Sequence, residues 1–503
     1  MLSVHVPTVS DPVPAPFNMA AHVLAHAGRL ADKSAMQILR PTGAERWSYA
    51  RLEAAVRGAG TGFLNAGAVP GDRVLLRLGN TPEFPVAYLG AIAAGLVPVP
   101  TSSQLTAAEI GKMAAQVTPR LVVAGEGIAL PEGVPVITEA ELRGFEALPP
   151  CAWDMGDPER LGYIVFTSGT SGQPRAVMHA HRAIWARRMM QDGWYGLNES
   201  DRLLHAGAFN WTYTMGTGLM DPWSVGATAL IPAADVRPEA LPLLLRRFDA
   251  TIFAAAPGVY RQILRHHAKI ALPRLRHGLS AGEALPDLTR RHWTEATGTP
   301  IHEALGMSEC STFISSSPAR PAPEGTAGWP QDGRHVAVLR DGAPVPRGEP
   351  GVLAVHRSDP GLFLGYMGAP AETVARFAGD WFLTGDMVEM TPEGAIRYIG
   401  RDDDMMNAGG FRVSPLEVEA AMVTCPEAGE VAAVEVRVSE EATVIAMAHT
   451  GAATAEALSA HAAATLARYK QPRLYRQVAD LPRNRNGKID RRAIRAGWTS
   501  ETP

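Results

Sequence analysis

Apolar residues recur at helical spacing in SYARLEAAVRGAGTGFLNAG (48–67), and such stretches alternate with short β-rich runs, RVLLRL (73–78), LVPVP (96–100) and RLVVAG (120–125). The alternation predicts α/β architecture with largely parallel sheets. It continues through YIVFTS (163–168), TALIPA (228–233) and TIFAAAP (251–257), each leading into helical sequence. The most apolar stretch, Val86 to Pro100, is broken by Gly90, Gly95 and Pro98 and is too short to span a bilayer, so it reads as a buried helix entering a strand. From about Gly351, the runs GVLAVHR, WFLTGD and AIRYIGR read as strands between Gly, Pro and Asp turns, the body of a β-rich subdomain placed from about residue 325. A turn-rich junction, GRDDDMMNAGGFRVSP (400–415), precedes helix, strand, strand and helix texture. The domain boundary is placed at Asp403, giving an N-terminal domain over 1–402, with parallel α/β layers, and a small α+β domain over 403–503.

Composition narrows the class. The 503 residues are 46% apolar and 19% charged, enough for two or three domains with their own cores. With 49 glycines and 40 prolines the chain is neither collagen-like nor disordered. Forty-seven basic against 51 acidic residues leave a net charge of −4, so no global field favours nucleic acid or an anionic membrane, and any bound anion needs a local site. The first residues, MLSVHVPTVSDPVPAPF, lack the basic and apolar segments of a secretory signal. Cys151, Cys310 and Cys425 are far apart and odd in number, which offers neither a disulfide framework nor metal-ligand spacing and fits a reducing cytoplasm. Only five of the 47 basic residues are lysine (Lys33, Lys112, Lys269, Lys470, Lys488), so a lysine among arginines invites a reason.

The segment YIVFTSGTSGQPRAVMHAHRA (163–183) reads as a strand, a Gly- and hydroxyl-rich loop and then a helix. Backbone N–H groups, hydroxyls and a helix N-terminus together suit a polyphosphate. The spacing is not that of a Walker loop, which excludes a P-loop reading. His179 and His181, and His266 with His267, have no companions at zinc spacing and are expected to be structural or exposed. The doublets Arg187–Arg188 and Arg290–Arg291 are expected on solvated helix faces.

YIVFTSGTSGQPRAV resembles the phosphate-binding signature of the adenylate-forming superfamily, and five further segments match that superfamily in order: LSAGEAL (279–285), EALGMSE (303–309), WFLTGD (381–386), YIGRDDDMMNAGGFRVSPLEVE (398–419) and LPRNRNGKIDR (481–491). The resemblance implies sites for ATP, Mg²⁺ and coenzyme A. Thr167, Ser168, Gly169, Thr170, Ser171, Gly172 and Arg175 would hold the β- and γ-phosphates. Gly282, Glu283, Ala284, Glu303, Leu305 and Gly306 would line the nucleotide, while Asp386 and Arg401 would hold ribose. Ser308 would serve the α-phosphate, Glu309 the Mg²⁺ ion, and Lys488 would be the catalytic cation between carboxylate and α-phosphate. The C-terminal domain would rotate about Asp403 between two half-reactions, bringing Gly409, Gly410 and Phe411 to coenzyme A. Arg175 replaces the usual Lys, Ala176 the usual Gly, Leu305 a common aromatic residue and Ala284 a common Pro.

HAGAFNWTYTMGTGLMDPWSVGAT (205–228) is similar to medium-chain acyl-CoA synthetases, and FNMAAHVLAHAGRLADKSAM (17–36) to benzoate-CoA ligases. Phe209, Trp211, Tyr213 and Met307 would contact the acyl group, a small monocarboxylic acid with an apolar or aromatic body. The implied activity is AMP-forming acid–thiol ligation in the cytoplasm, without nucleic acid or a membrane span, and the resemblance alone implies a homodimer. Two rivals are an enzyme that hands the acyl group to a carrier-protein pantetheine, and a non-catalytic nucleotide-binding regulator.

Overall fold

The computed structural model describes residues 1–7, 11–168, 174–402, 404–408, 411–438, 443–484 and 487–499. The chain divides into two units, a larger one of His5–Val336 with Val355–Phe382, and a smaller one of Met1–Val4, Ala337–Ala354 and Leu383–Pro503.

In the larger unit a nine-stranded sheet runs Trp329–Pro330, Ser311–Ser315, Ile301–Met307, His277–Ala281, Ile252–Ala255, Arg202–Ala206, Thr228–Pro232, Ser34–Arg40 and Gly43–Ser48. Its central strands are parallel, as the alternating pattern predicts, and antiparallel pairs close both edges. A second, parallel sheet joins Val97–Pro100, Arg73–Arg77, Leu121–Ala124 and Val136–Thr138. The helix Glu83–Ala93 runs into Val97–Pro100, and every residue of the helix is buried, which accounts for its apolar sequence after Glu83, itself paired with Arg143. The helix Tyr49–Asn65 is capped by the Ser48 side chain, which accepts from the Arg51 N–H. A third sheet of Gly365–Tyr366, Pro174–Ala180 and Leu161–Ser168 is wholly antiparallel.

In the smaller unit the strand Trp381–Met390, from Leu383 onward, pairs antiparallel with Ile396–Arg401, and Met406–Ala408 pairs antiparallel with Phe411–Val413. Beyond them, helix Pro415–Met422 packs with the sheet Val431–Arg437, Thr443–His449 and Leu474–Gln477 around Val418, Met422, Ile445 and Met447. Asp403, the expected boundary, lies outside the described residues. Among the described residues no helix is long and apolar enough to cross a membrane. All three cysteines are buried and unpaired.

Candidate active site

The segment after the hydroxyl-rich loop is a strand, Pro174–Ala180, and not the expected helix. It pairs antiparallel with Leu161–Ser168, with Thr167 opposite Arg175. A strand satisfies its amides in the ladder, so no helix N-terminus contributes to anion binding here. Gly169, Thr170, Ser171 and Gly172 lie outside the described residues, as does the Ser168 side chain.

Three chain segments converge beside this hairpin. Arg175 forms an ion pair with Glu372 at 2.8 Å. Its guanidinium also stands 5.3 Å from the Tyr366 ring centroid. The Tyr366 hydroxyl donates to Glu309 Oε1 at 2.7 Å. Burial and the adjacent Glu309 carboxylate push that hydroxyl well above its ordinary pKa, keeping it a donor. Glu309 is buried on the turn between Ile301–Met307 and Ser311–Ser315, and its carbonyl accepts from the Phe363 N–H at 2.8 Å. The carbonyl of half-buried Ser308 is 2.8 Å from His179 Nε2. His179 stacks on Tyr163 with ring centroids 4.7 Å apart, and burial lowers its pKa to about 4. The neutral ring donates through Nε2, the tautomer that the carbonyl assigns. His179 is structural, as expected, but its attachment to Ser308 is not legible locally, because the partners stand far apart in sequence. Tyr366 was missed altogether.

A single buried carboxylate fits what Mg²⁺ needs from protein when phosphates and water complete its octahedron. Among the described residues only Tyr366 bonds the Glu309 carboxylate, through one oxygen, so the other can meet a hard cation.

On the nucleotide side, Gly282 has φ +94° and open space where a Cβ would stand, a left-handed position that favours glycine. Ala284 is exposed and Glu283 half-buried. Glu303 accepts from the Leu285 N–H at 2.8 Å and from Arg290 Nη2 at 2.8 Å. Both carboxylate oxygens thus hold protein donors, and Glu303 ties the loop after His277–Ala281 to Ile301–Met307. Arg290 also donates to the Ile301 carbonyl, so it is not the solvated residue expected from its doublet. Leu305 is half-buried opposite Ile314, and a Cβ on Gly306 would come within 2.4 Å of the Ser311 carbonyl.

Arg187 departs further from expectation. Its side chain is 7% exposed and that of Asp221 is 3% exposed. Arg187 Nε donates to Asp221 Oδ1 at 2.9 Å, and Nη2 to Oδ2 at 2.6 Å. The Tyr195 hydroxyl donates to the same carboxylate at 2.7 Å, and Arg187 Nη1 reaches the Ser311 hydroxyl. A Cβ on Gly216 would stand 2.1 Å from Nη2, so glycine is what lets the guanidinium in. The network joins the segment 205–228 to the hairpin that carries Ser308 and Glu309.

Among the residues expected to contact the acyl group, Phe209 is buried against Phe84, with ring centroids 5.4 Å apart. Asn80 bonds both sides of that segment, donating to the Gly207 carbonyl at 2.7 Å and accepting from the Phe209 N–H at 2.9 Å. Tyr213 donates to the Leu279 carbonyl at 3.2 Å and stacks with Trp194. Trp211 is half-buried at the start of Thr212–Met215, and Met307 is half-buried opposite Ser311.

In the smaller unit, Asp386 and Arg401 face each other across paired strands. Arg401 and the Tyr398 hydroxyl donate to Asp386 Oδ1 at 3.2 and 3.3 Å. Burial raises the Asp386 carboxyl above its ordinary pKa despite these donors, and further donors such as ribose hydroxyls would oppose that shift. Lys488 is exposed; its N–H donates to Asn484 Oδ1 at 3.1 Å and its carbonyl accepts from the Asn484 N–H at 2.8 Å. Gly409, Gly410 and the Phe411 side chain lie outside the described residues.

Residues 23–367 match the AMP-binding enzyme family, and residues 417–488 match the AMP-binding enzyme C-terminal domain. The chain is 30% identical over 482 residues to the 3-hydroxybenzoate–CoA ligase of Aromatoleum sp. (strain CIB), covering 90% of this chain and 92% of the relative. It is 29% identical to the mitochondrial acyl-coenzyme A synthetase ACSM2 of Rattus norvegicus, with 96% and 92% covered. Among solved structures, a benzoate CoA ligase from Burkholderia xenovorans LB400 superposes with a TM-score of 0.85 at 28% identity, with 95% of this chain and 100% of that chain covered. The chain therefore belongs to the AMP-binding enzyme family, in the acyl-CoA synthetase branch of the adenylate-forming superfamily, and is an AMP-forming acid–CoA ligase.

Proposed function

We propose that the acid is an aromatic, benzoate-like or short- to medium-chain monocarboxylate, activated at the centre formed by Thr167, Arg175, Ser308 and Glu309. The observation that carries this reading is the convergence of Arg175, Tyr366 and Glu309, with Ser308 held by His179, beside the paired strands Leu161–Ser168 and Pro174–Ala180. A carboxylate oxygen of the acid attacks the α-phosphorus of ATP, the bond to the β-phosphate oxygen breaks, and pyrophosphate leaves. The sulfur of coenzyme A then attacks the acyl carbon, its proton is lost to solvent, and AMP leaves. Thr167 and Arg175 receive the outer phosphates, and the Ser308 hydroxyl the α-phosphate. Glu309 holds Mg²⁺, which when bound neutralises the crowded phosphate oxygens.

Asp386 and Arg401 take the ribose, Leu305 and Gly306 flank the base, and Glu303 acts through the loop Gly282–Glu283–Ala284 that it anchors. Phe209, Trp211, Tyr213 and Met307 shape the acid side. Lys488 supplies the catalytic cation, and rotation about Asp403 brings Gly409, Gly410 and Phe411 into the thioester step. The cytoplasm, where coenzyme A is available, is the assigned compartment, and a homodimer is assigned with it.

The test is AMP formation with ATP and CoA across benzoate, substituted benzoates and C2 to C10 fatty acids, with Lys488→Ala as control. A sharp acid preference, with adenylate formation about 100- to 1000-fold lower in the variant, is expected. Near-normal pyrophosphate release by Lys488→Ala would overturn the lysine assignment. Activity that needs a carrier protein instead of CoA would overturn the acceptor.

A further inference from the structure

Glu309 meets two donors from one short segment of chain. The Phe363 N–H donates to its carbonyl at 2.8 Å, and the Tyr366 hydroxyl to its carboxylate Oε1 at 2.7 Å. A second tie fixes that segment against the hairpin of Glu309. Arg334 and Asp359 are both 0% exposed and pair at 2.8 Å. Asp359 Oδ1 also accepts from the Gly361 N–H at 2.8 Å, while Arg334 Nη2 donates to the Thr312 carbonyl at 3.0 Å. A Cβ on Gly361 would fall 2.0 Å from Arg334 Nη1, so glycine is what lets the loop lie on the pair. The Tyr366 ring is buried edge-on to Phe363, with centroids 5.0 Å apart, and its backbone N–H donates to Thr373 Oγ1 at 2.9 Å. Ring and carboxylate are thus held in place from both sides, and Oε1 is committed to protein.

For a cation this is a matter of how many oxygens the carboxylate can offer. Ca²⁺ takes about six to eight oxygens in a flexible shell and accepts a carboxylate through one oxygen or both, whereas Mg²⁺ demands a near-ideal octahedron and keeps several waters beside one or two carboxylates. The neighbouring acids do not enlarge the offer. Asp359 is spent on Arg334 and Gly361, and Glu372 is paired with Arg175. Among the described residues no group of three or more His, Cys, Asp or Glu could hold a metal ion. A site that presents one carboxylate oxygen suits the smaller ion and starves the larger one.

Resting on the reading of Glu309 as the Mg²⁺ ligand, we infer that Tyr366 is a positioning residue that makes Glu309 a one-oxygen ligand and so selects Mg²⁺ against Ca²⁺. Without the hydroxyl, Oε1 is released and the carboxylate can turn both oxygens to the larger ion.

The experiment is calorimetric binding of ATP to the full-length protein in excess Mg²⁺ and in excess Ca²⁺, without acid or coenzyme A, so that nothing turns over. The wild-type protein is expected to bind ATP about tenfold or more tightly with Mg²⁺ than with Ca²⁺. Tyr366→Phe keeps the ring and should narrow that ratio about tenfold, the worth of one hydrogen bond to a charged group, mainly by tightening the Ca²⁺ complex. A merely structural role would weaken both complexes alike and leave the ratio where it was. Tyr366→Leu should narrow the ratio by the same factor, and Glu309→Gln should bring it near one. A wild-type ratio near one would overturn the inference. So would a ratio that Glu309→Gln collapses but that neither Tyr366 variant moves in protein that still unfolds cooperatively, and in that case the Glu309 reading stands. A ratio unmoved by Glu309→Gln would overturn Glu309 as the metal ligand, and the inference with it.

Discussion

Two arginines mark two regions of the larger unit that behave differently. Arg187 is sealed with Asp221 and donates through every side of its guanidinium to Asp221, Ser311, Tyr195 and Thr217. Arg175, beside the strand Leu161–Ser168, meets Glu372, whose side chain is 52% exposed. The first pair is architecture, because a charge buried among fixed partners has nowhere to go. The second is exchangeable, because solvent screens the pair and another anion can take the place of Glu372. Arg187 is thus fixed by the fold, while Arg175 is held only by a half-exposed carboxylate.

The hardest test of this contrast is Asp221→Ala, which strips Arg187 of its counter-charge. A loss of about 3–5 kcal/mol in urea unfolding is expected. A loss under 1 kcal/mol would show that the network is not architecture. The strand that carries Arg175 is tested by acid. The His179 pKa is about 4 in the folded chain against an ordinary 6.5, so the folded state binds fewer protons. Its contribution is complete above pH 6.5 and is lost as pH falls toward 4, at up to about 1.4 kcal/mol per pH unit. His22, His181, His205, His277 and His302 are lowered by burial in the same sense, whereas the raised Glu303 carboxyl acts in the opposite one. Stability should therefore fall across that window, and His179→Gln should flatten the slope. An unchanged slope would remove His179 from the rigid layer.

Smaller effects sharpen the exchangeable side. Arg175→Ala should raise the KM for ATP about tenfold with little change in unfolding, since one charge-assisted contact is lost. Glu372→Ala should shift stability by less than about 1 kcal/mol and leave the KM for ATP the same or lower. A large rise in that KM would mean that Glu372 orients Arg175 instead of sequestering it.

The sheets that lie on alternating sequence, and the order of the motifs, were legible because each rests on local pattern. The strand Pro174–Ala180 was not. RAVMHAHRAIWA carries apolar residues at spacings compatible with a helix, and its pairing with Leu161–Ser168 and Gly365–Tyr366 is decided by neighbours outside that window. Arg187 was misread for a related reason, since a basic doublet says nothing of an aspartate 34 residues on. Tyr366 lies in a two-residue strand within an ordinary glycine-flanked stretch of sequence, and only the three-stranded sheet brings it between Arg175 and Glu309. Long-range pairing of this kind leaves no mark on composition or periodicity.

The burial of Cys151, Cys310 and Cys425 also matters at the bench. Burial raises the thiol pKa of Cys151 and Cys310, which keeps those groups in the unreactive protonated form. A colorimetric thiol reagent added to the native enzyme should therefore register the free sulfhydryl of the acceptor almost alone. Its disappearance would follow the second half-reaction continuously, without a coupled enzyme or a radiolabel.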